Sequence, residues 1–333
     1  TVIVTPGPSF NVPLPNIQVC EGATISTLTV NYSNGVGTAS YQWYSNAVNS
    51  TTGGTQIQGA TNSTYTPSAL TVGTTYYYCT LTLTGGGCPQ IASNTAEVII
   101  HPDPTITLTS ITPQMICIGG TISNPLQVTY TNGVGIPTYQ WYYNSVNSTT
   151  GASQIQGANS NSYTPPTFNT IGNYYYYCEV SLSGNGCDTM ISAVAEIQVF
   201  PDPIVTDPYT PQELCENATP TDLQVVASGG IPGDPFTYQW YSNTTNSNTG
   251  GTQIAGATNS TYTPSTVASG TIYYYCVVQQ NNGNTGCESI SNTATVIVTP
   301  GPSFNVPLPN IQVCEGATIS TLTVNYSNGV GTA

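Results

Sequence analysis

The chain has 333 residues with no lysine, no arginine, one histidine and fourteen acids, giving a formal charge of −14. Phosphate backbones and anionic bilayers are held by clustered cations, so nucleic acid and charged membrane surfaces are excluded as partners. Only 4% of residues are charged, and Tyr, Thr, Val and Ile alternate in short runs between Gly, Pro and Asn clusters, the pattern of sheet rather than of disorder.

Taken from the start, the chain repeats itself. Residues 1–39 return letter for letter as 295–333, and "YQWY" recurs at Tyr41, Tyr139 and Tyr238, so a shorter period of 98 or 99 residues runs inside the longer one. A unit near one hundred residues has the size of an independent domain. The expected division is the last strand of a preceding repeat in 1–6, domains in 7–101, 102–201 and 202–300, and the first strands of a further repeat in 301–333. The sequence thus reads as a window cut from a longer repeating polymer. "TPGP" (Thr5 to Pro8), "HPDP" (His101 to Pro104), "FPDP" (Phe200 to Pro203) and "TPGP" (Thr299 to Pro302) read as linkers, stiffened by proline. Between them "TISTLTV", "SYQWYSN", "GTQIQGA", "STYTPS", "TTYYYCTLTLT" and "SNTAEVII" read as strands. Seven or so strands per repeat point to a sandwich. No apolar run approaches the roughly 18 residues of a membrane helix, so no membrane insertion is expected in this stretch.

"YQWY", followed some thirty-five residues later by "YYYC", resembles an immunoglobulin-like domain. The resemblance makes Trp43, Trp141 and Trp240 the buried tryptophans of strand C and puts Cys79, Cys178 and Cys276 at the cysteine position of strand F. Tyr77, Tyr176 and Tyr274, two residues before those cysteines, fit the tyrosine corner. The expected fold is all-β, with tandem immunoglobulin-like sandwiches in a linear head-to-tail array. More narrowly, "QWYSNTTNSNTGGTQIAGATNSTYTPSTVASGTIYYYC", followed by a "GC" pair and "SNTATV", is similar to the repeats of giant Bacteroidota surface proteins of the Flavobacterium and Cytophaga type. That resemblance implies a gliding or attachment adhesin, or a filament protein, exported by type IX secretion.

The usual strand B cysteine is missing, its place falling on Val30, Val128 and Ala227. Instead Cys20, Cys117, Cys215 and Cys314 sit in a turn before strand B, and Cys88, Cys187 and Cys287 follow the glycine turn after strand F. In the immunoglobulin topology those turns lie at opposite poles, about 30 Å apart for strands of nine or ten residues, beyond the roughly 7 Å Cα separation that a disulfide spans. Two pairings stay open. One bridges neighbouring domains, Cys20 to Cys187 and Cys117 to Cys287, with the strand F cysteines buried as thiols; the other joins the first two cysteines of each domain. Ten cysteines without C-x-x-C spacing point to an oxidising, extracellular setting rather than to zinc.

Little in the sequence suggests chemistry. The only histidine, His101, stands in a linker where the other repeats have Thr5, Phe200 and Thr299. Glu97 with Glu196, and Asp103 with Asp202, follow the repeat rather than forming a glycosidase pair, and one linker carboxylate falls far short of the six to eight oxygens of calcium. No enzyme activity, metal or cofactor is expected. Without lysine, covalent reinforcement falls to sulfur.

Strand alternation turns Tyr44, Tyr76 and Tyr78 to the face opposite Trp43, Tyr77 and Cys79, and Tyr142, Tyr175, Tyr177, Tyr241, Tyr273 and Tyr275 repeat the pattern. This tyrosine ladder reads as cross-strand pairing that steadies the sheet; a glycan platform, or a face for lateral packing, is the functional reading. The expected function is a non-enzymatic stalk or fibre whose domains act as spacers, each adding about 40 Å. A carbohydrate- or surface-binding module is the alternative. Partners would be other copies of the chain, other surface proteins, glycans or abiotic surfaces.

Overall fold

The computed structural model describes residues 3–110, 113–280 and 286–328. Every regular element among them is a strand. By compactness the chain divides into two units, one of residues 1–112, 125–163 and 174–196, the other of residues 113–124, 164–173 and 197–333.

In the first unit, the tryptophan strand Thr38–Asn46 and the tyrosine strand Gly73–Thr84 pair antiparallel over nine positions, with Trp43 opposite Cys79 and Tyr44 opposite Tyr78. The closing strand Ala96–His101 lies on the other side of the tyrosine strand, and the cysteine strand Ile17–Cys20 runs parallel to it, with Val98 opposite Ile17 and His101 opposite Cys20. Thr55–Gln56 extends this sheet beside the tryptophan strand, and Ile91–Ala92 pairs with the tyrosine strand as its sixth member. The facing layer consists of short pairs, Leu28–Thr29 with Thr64–Tyr65 and Ser9–Phe10 with Tyr32–Ser33. Between the layers lie Leu14, Leu28, Val30, Trp43, Cys79 and Ala96. Alternation explains the split: Ala96, Val98 and Ile100 are buried while Glu97, Ile99 and His101 between them are only half-buried.

From the second repeat, the first unit also holds Ile136–Asn144 paired with residues 175–183 of the strand Gly172–Ser183, Trp141 again opposite Cys178. In the second unit Gln114–Cys117 runs parallel to residues 197–200, from Gln114 opposite Ile197 to Cys117 opposite Phe200. The third repeat, also in that unit, has Phe236–Asn243, Gly270–Gln280, Ala294–Thr299 and Gln212–Cys215 in the corresponding places. Its core gathers Leu223, Val225, Trp240, Cys276, Val296 and Val298. The chain is therefore all-β, in tandem sandwiches of immunoglobulin type.

Four expectations need correction. His101, Phe200 and Thr299 are the last residues of closing strands rather than linker residues, because each still meets a cysteine-strand partner: Cys20, Cys117 and Cys215. In the third repeat Val225, not Ala227, holds the place of Val30. Val30, Val128 and Val225 each donate a backbone hydrogen bond across to Ser63, Asn161 and Ser260, and two extra residues in "GGIPGDPF" shift the count from Trp240. Residues 3–6 form no strand and expose Ile3 and Val4, since an edge without neighbours has no ladder to join; residues 1 and 2 of that segment lie outside the described residues. Of the expected strands in 301–333, only Ser303–Phe304 and Tyr326–Ser327 form, paired with each other, and residues 329–333 lie outside the described residues.

Candidate functional site

A cysteine turn recurs in all three repeats. Each cysteine strand ends in a tight turn closed by a backbone hydrogen bond back to the cysteine carbonyl: from Ala23 to Cys20 at 3.2 Å, from Gly120 to Cys117 at 3.0 Å and from Ala218 to Cys215 at 3.1 Å. Within the first unit, Cys20 is bonded to Cys187 with Cα atoms 4.9 Å apart; within the second, Cys117 is bonded to Cys287 at 5.0 Å. Backbone contact supports the first junction, where the Cys20 amide donates to Asn185 at 3.0 Å. The second is dressed by Ile231, Met115 and Phe200.

Glycine makes this approach feasible. A Cβ on Gly186 would come within 2.5 Å of the Ala23 side chain, and one on Gly286 within 2.6 Å of the Gly120 backbone. Both residues also hold positive φ, 67° and 104°, which glycine adopts without strain.

The remaining cysteines are thiols. Cys79, Cys178 and Cys276 are buried beside the tryptophans, their backbone amides donating to Ser93, Ser192 and Ser291. Burial pushes the thiols of Cys79 and Cys276 up to about 12 and that of Cys178 to about 11, because a thiolate there would be stranded away from water. Cys88 and Cys215 are half-buried and Cys314 is exposed. The pairing of the first two cysteines within a domain is absent, Cys79 being a thiol.

The tyrosine face is closed rather than open. Tyr44 stacks on Tyr78 with centroids 5.1 Å apart, Tyr142 on Tyr177 at 5.0 Å and Tyr241 on Tyr275 at 5.1 Å. Tyr78, Tyr177 and Tyr275 are buried, which corrects the expectation of an exposed ladder at those positions. The chain after each tryptophan strand folds back over the ring. Tyr177 donates to the Thr149 carbonyl at 3.0 Å, and the Gly251 amide donates to the Tyr275 hydroxyl at 3.1 Å. Gly54 lies so close to Tyr78 that a Cβ would meet its ring at 2.8 Å. The outer tyrosines are tethered to carboxylates: Tyr76 donates to Glu97 at 2.8 Å, Tyr142 to Glu179 at 2.8 Å and Tyr175 to Glu196 at 3.3 Å. Tyr273, at the corresponding place in the third repeat, lies opposite Thr295 in the ladder and is half-buried.

A family model described as a domain of unknown function (DUF8696) matches residues 14–102, 107–201 and 209–300. The chain belongs to the DUF8696 family. No curated protein matches it in sequence. Among solved structures, DUF8696 repeats in this chain are similar to three N-terminal domains of the bacteriophage RB49 Highly Immunogenic Outer Capsid protein, at 14% identity and TM-score 0.49 over 87% of this chain and 99% of that one. An I-band fragment of titin, I67–I69, aligns at 12% identity and TM-score 0.39, over 88% and 98%.

Each DUF8696 repeat also carries partners that the sequence reading left unassigned. Tyr65, Tyr163 and Tyr262, from the recurring "TYTP" or "SYTP", wedge between the tryptophan and the tyrosine two before the buried cysteine. In the first repeat Trp43 to Tyr65 is 5.7 Å and Tyr65 to Tyr77 is 5.5 Å. The second and third repeats place Tyr163 against Trp141 and Tyr176, and Tyr262 against Trp240 and Tyr274. Tyr77, Tyr176 and Tyr274, the residues expected at the tyrosine corner, pack against these rings. Gln42, Gln140 and Gln239 clamp the returning segment by donating to Ile57, Ile155 and Ile254 carbonyls at 2.8 Å. Only the recurrence of these residues in all three repeats could have signalled them.

His101 meets Gln18 at 3.3 Å, and Glu97 and Glu196 are engaged by tyrosines. Among the described residues no group of three or more His, Cys, Asp and Glu side chains is placed to hold a metal, and no helix is long and apolar enough to cross a membrane.

Proposed function

We propose that this chain is a non-enzymatic structural stretch of a long extracellular fibre or surface-adhesin stalk, whose repeats space and present adhesive ends and pack laterally with other copies. The observation that carries the reading is the staple: one disulfide links the first repeat to the second and another links the second to the third. Disulfides of this kind persist in oxidising compartments, which fits a secreted or cell-surface setting. The resemblance to Bacteroidota gliding and attachment proteins, with export by type IX secretion, belongs to the same reading, and so do partners that are copies of the chain or neighbouring surface proteins.

Carbohydrate or abiotic-surface binding through the tyrosine faces is less well supported. One ring of each stacked pair is already covered by the chain's own return segment, and a sugar would find only the outer ring to stack on. Immunogold labelling of native cells with antibodies against residues 7–300 tests the structural reading. Label along filaments or stalks outside the cell is the expected result, and label confined to the cell interior sinks it.

A further inference from the structure

The two bridges obey one rule: the cysteine that ends the cysteine strand of one repeat takes the cysteine after the glycine turn of the next. That rule leaves two half-sites at the flanks of the folded array. Cys215 corresponds to Cys20 and Cys117 but has no partner, and Cys88 corresponds to Cys187 and Cys287 but has none either.

Both half-sites are already built. The turn after Cys215 is closed by the same hydrogen bond, from Ala218 at 3.1 Å, that closes the bridged turns. Gly87, before Cys88, holds φ of 64°, matching Gly186 at 67°, yet a Cβ there would meet nothing within 4 Å, whereas on Gly186 and Gly286 it would strike the docked turn. The apolar residue beside the thiol behaves in the same way. Ile231 is 2% exposed against the Cys117–Cys287 bridge, while its counterpart Val36, near Cys88, is 49% exposed. Val134, in the same position of the second repeat, donates its amide to Cys187 Sγ at 3.5 Å.

We propose that Cys215 and Cys88 are disulfide sites for flanking repeats of the same kind: Cys215 takes the glycine-turn thiol of a repeat that follows, and Cys88 takes the turn thiol of a repeat that precedes. The flanking repeat is carried either by the same polypeptide or by a second copy, and the chemistry is shared. Two thiols lose two protons and two electrons to form the S–S bond; a small-molecule disulfide such as oxidised glutathione accepts them, its own S–S bond breaking to give two thiols. The proposal deepens the stapled-array reading, and the two fail separately, since cellular location is read by labelling and bonding by peptide mapping.

Two arms test it. In the first, residues 40–101 are appended after residue 333, completing a fourth repeat with its own glycine-turn cysteine. After oxidation with glutathione disulfide, non-reducing peptide mapping should join Cys215 to the appended cysteine, and Cys215 alkylation by iodoacetamide should fall at least tenfold. In the second, isotope-labelled and unlabelled copies of the unextended chain are mixed with the same oxidant. A labelled Cys88 joined to an unlabelled Cys215, lost in Cys88→Ser and Cys215→Ser, identifies a second copy as a competent partner. A bond in either arm supports the proposal, and the arm in which it forms names the source. Free Cys215 in both arms, or Cys215 joined to any other cysteine, overturns it, provided that the same maps show Cys20–Cys187 and Cys117–Cys287 intact.

Discussion

Residues 7–30 and 301–324 are the same letters in two surroundings. In the first copy Leu14, Val19, Ile25, Leu28 and Val30 are buried; in the second Leu308, Val313, Ile319, Leu322 and Val324 are all exposed, Leu28 at 0% against Leu322 at 48%. The other end of the chain mirrors this: Val298 in the closing strand of the third repeat is 4% exposed, whereas Val4, the same letter of the same segment, is 88% exposed. What survives outside a sandwich is local. The Asn305 amide still donates to the Asn325 carbonyl at 3.0 Å as Asn11 does to Asn31 at 2.9 Å, the turn bond from Ala317 to Cys314 forms at 3.1 Å, and Asn328 keeps the left-handed φ of Asn34. The long-range bonds of the first copy, such as Val30 to Ser63 and Leu14 to Asn94, reach partners outside the thirty-nine letters that the two copies share. Turns and the short hairpin are written locally; burial is supplied by the tryptophan and tyrosine strands.

That contrast can be broken from either side. Removing the centre of the first sandwich with Trp43→Ala should cost about 3–5 kcal/mol and make 7–30 behave like 301–324. Hydrogen-exchange mass spectrometry checks this, and continued protection of residues 7–30 would refute it. A milder and paired test uses identical sites: Leu28→Ala should cost about 2–5 kcal/mol, and Leu322→Ala within about 0.5 kcal/mol, read by calorimetry on the two variants. Next comes the staple. Cys187→Ser removes the Cys20 bridge and should cost about 2–4 kcal/mol, while Cys314→Ser should leave the melting profile unchanged.

Alkali should act more gradually. A thiol raised from its ordinary 9.0 to about 12 in the fold supports stability that is complete below pH 9 and is lost as pH climbs toward 12, because the unfolded chain ionises first. Urea midpoints measured from pH 8 to 12 should fall across that window, and Cys79→Ala should flatten the fall. Proteolysis should report the contrast with no change in stability at all. Trypsin has no site in either copy, since Lys and Arg are absent, and brief chymotrypsin should cut after Phe304 and Tyr326 before Phe10 and Tyr32, as N-terminal sequencing of the fragments would show.

The tryptophans and their opposed cysteines were legible because residue type, spacing and strand alternation agree in every repeat. The Cys20–Cys187 pairing was legible only as one of two choices: distance keeps cysteines at opposite poles of a domain apart, but a bridge within each domain stayed open until the structure placed Cys79 as a buried thiol. Counting along the chain failed at Ala227, where an insertion ahead of Trp240 moved the core position to Val225. Alternation correctly sent Tyr78 away from the core, but it says nothing of the segment that folds back over the ring, a contact whose sign is only the bare Cα of Gly54. The Tyr65 wedge was equally hidden, because a lone tyrosine in a two-residue strand has no periodicity to read.

The two disulfides interleave: Cys117 lies inside the loop closed by Cys20 and Cys187, and Cys187 lies inside the loop closed by Cys117 and Cys287. The shortest covalent route from one end of the chain to the other therefore runs to Cys20, crosses to Cys187, travels backward to Cys117, crosses to Cys287 and then goes on. That route is about 135 residues, so at about 3.5 Å each the oxidised chain pulled taut reaches roughly 470 Å, against nearly 1,200 Å once reduced. With both bridges closed, even complete unfolding releases less than half the contour, and redox state sets the reach of the array under load.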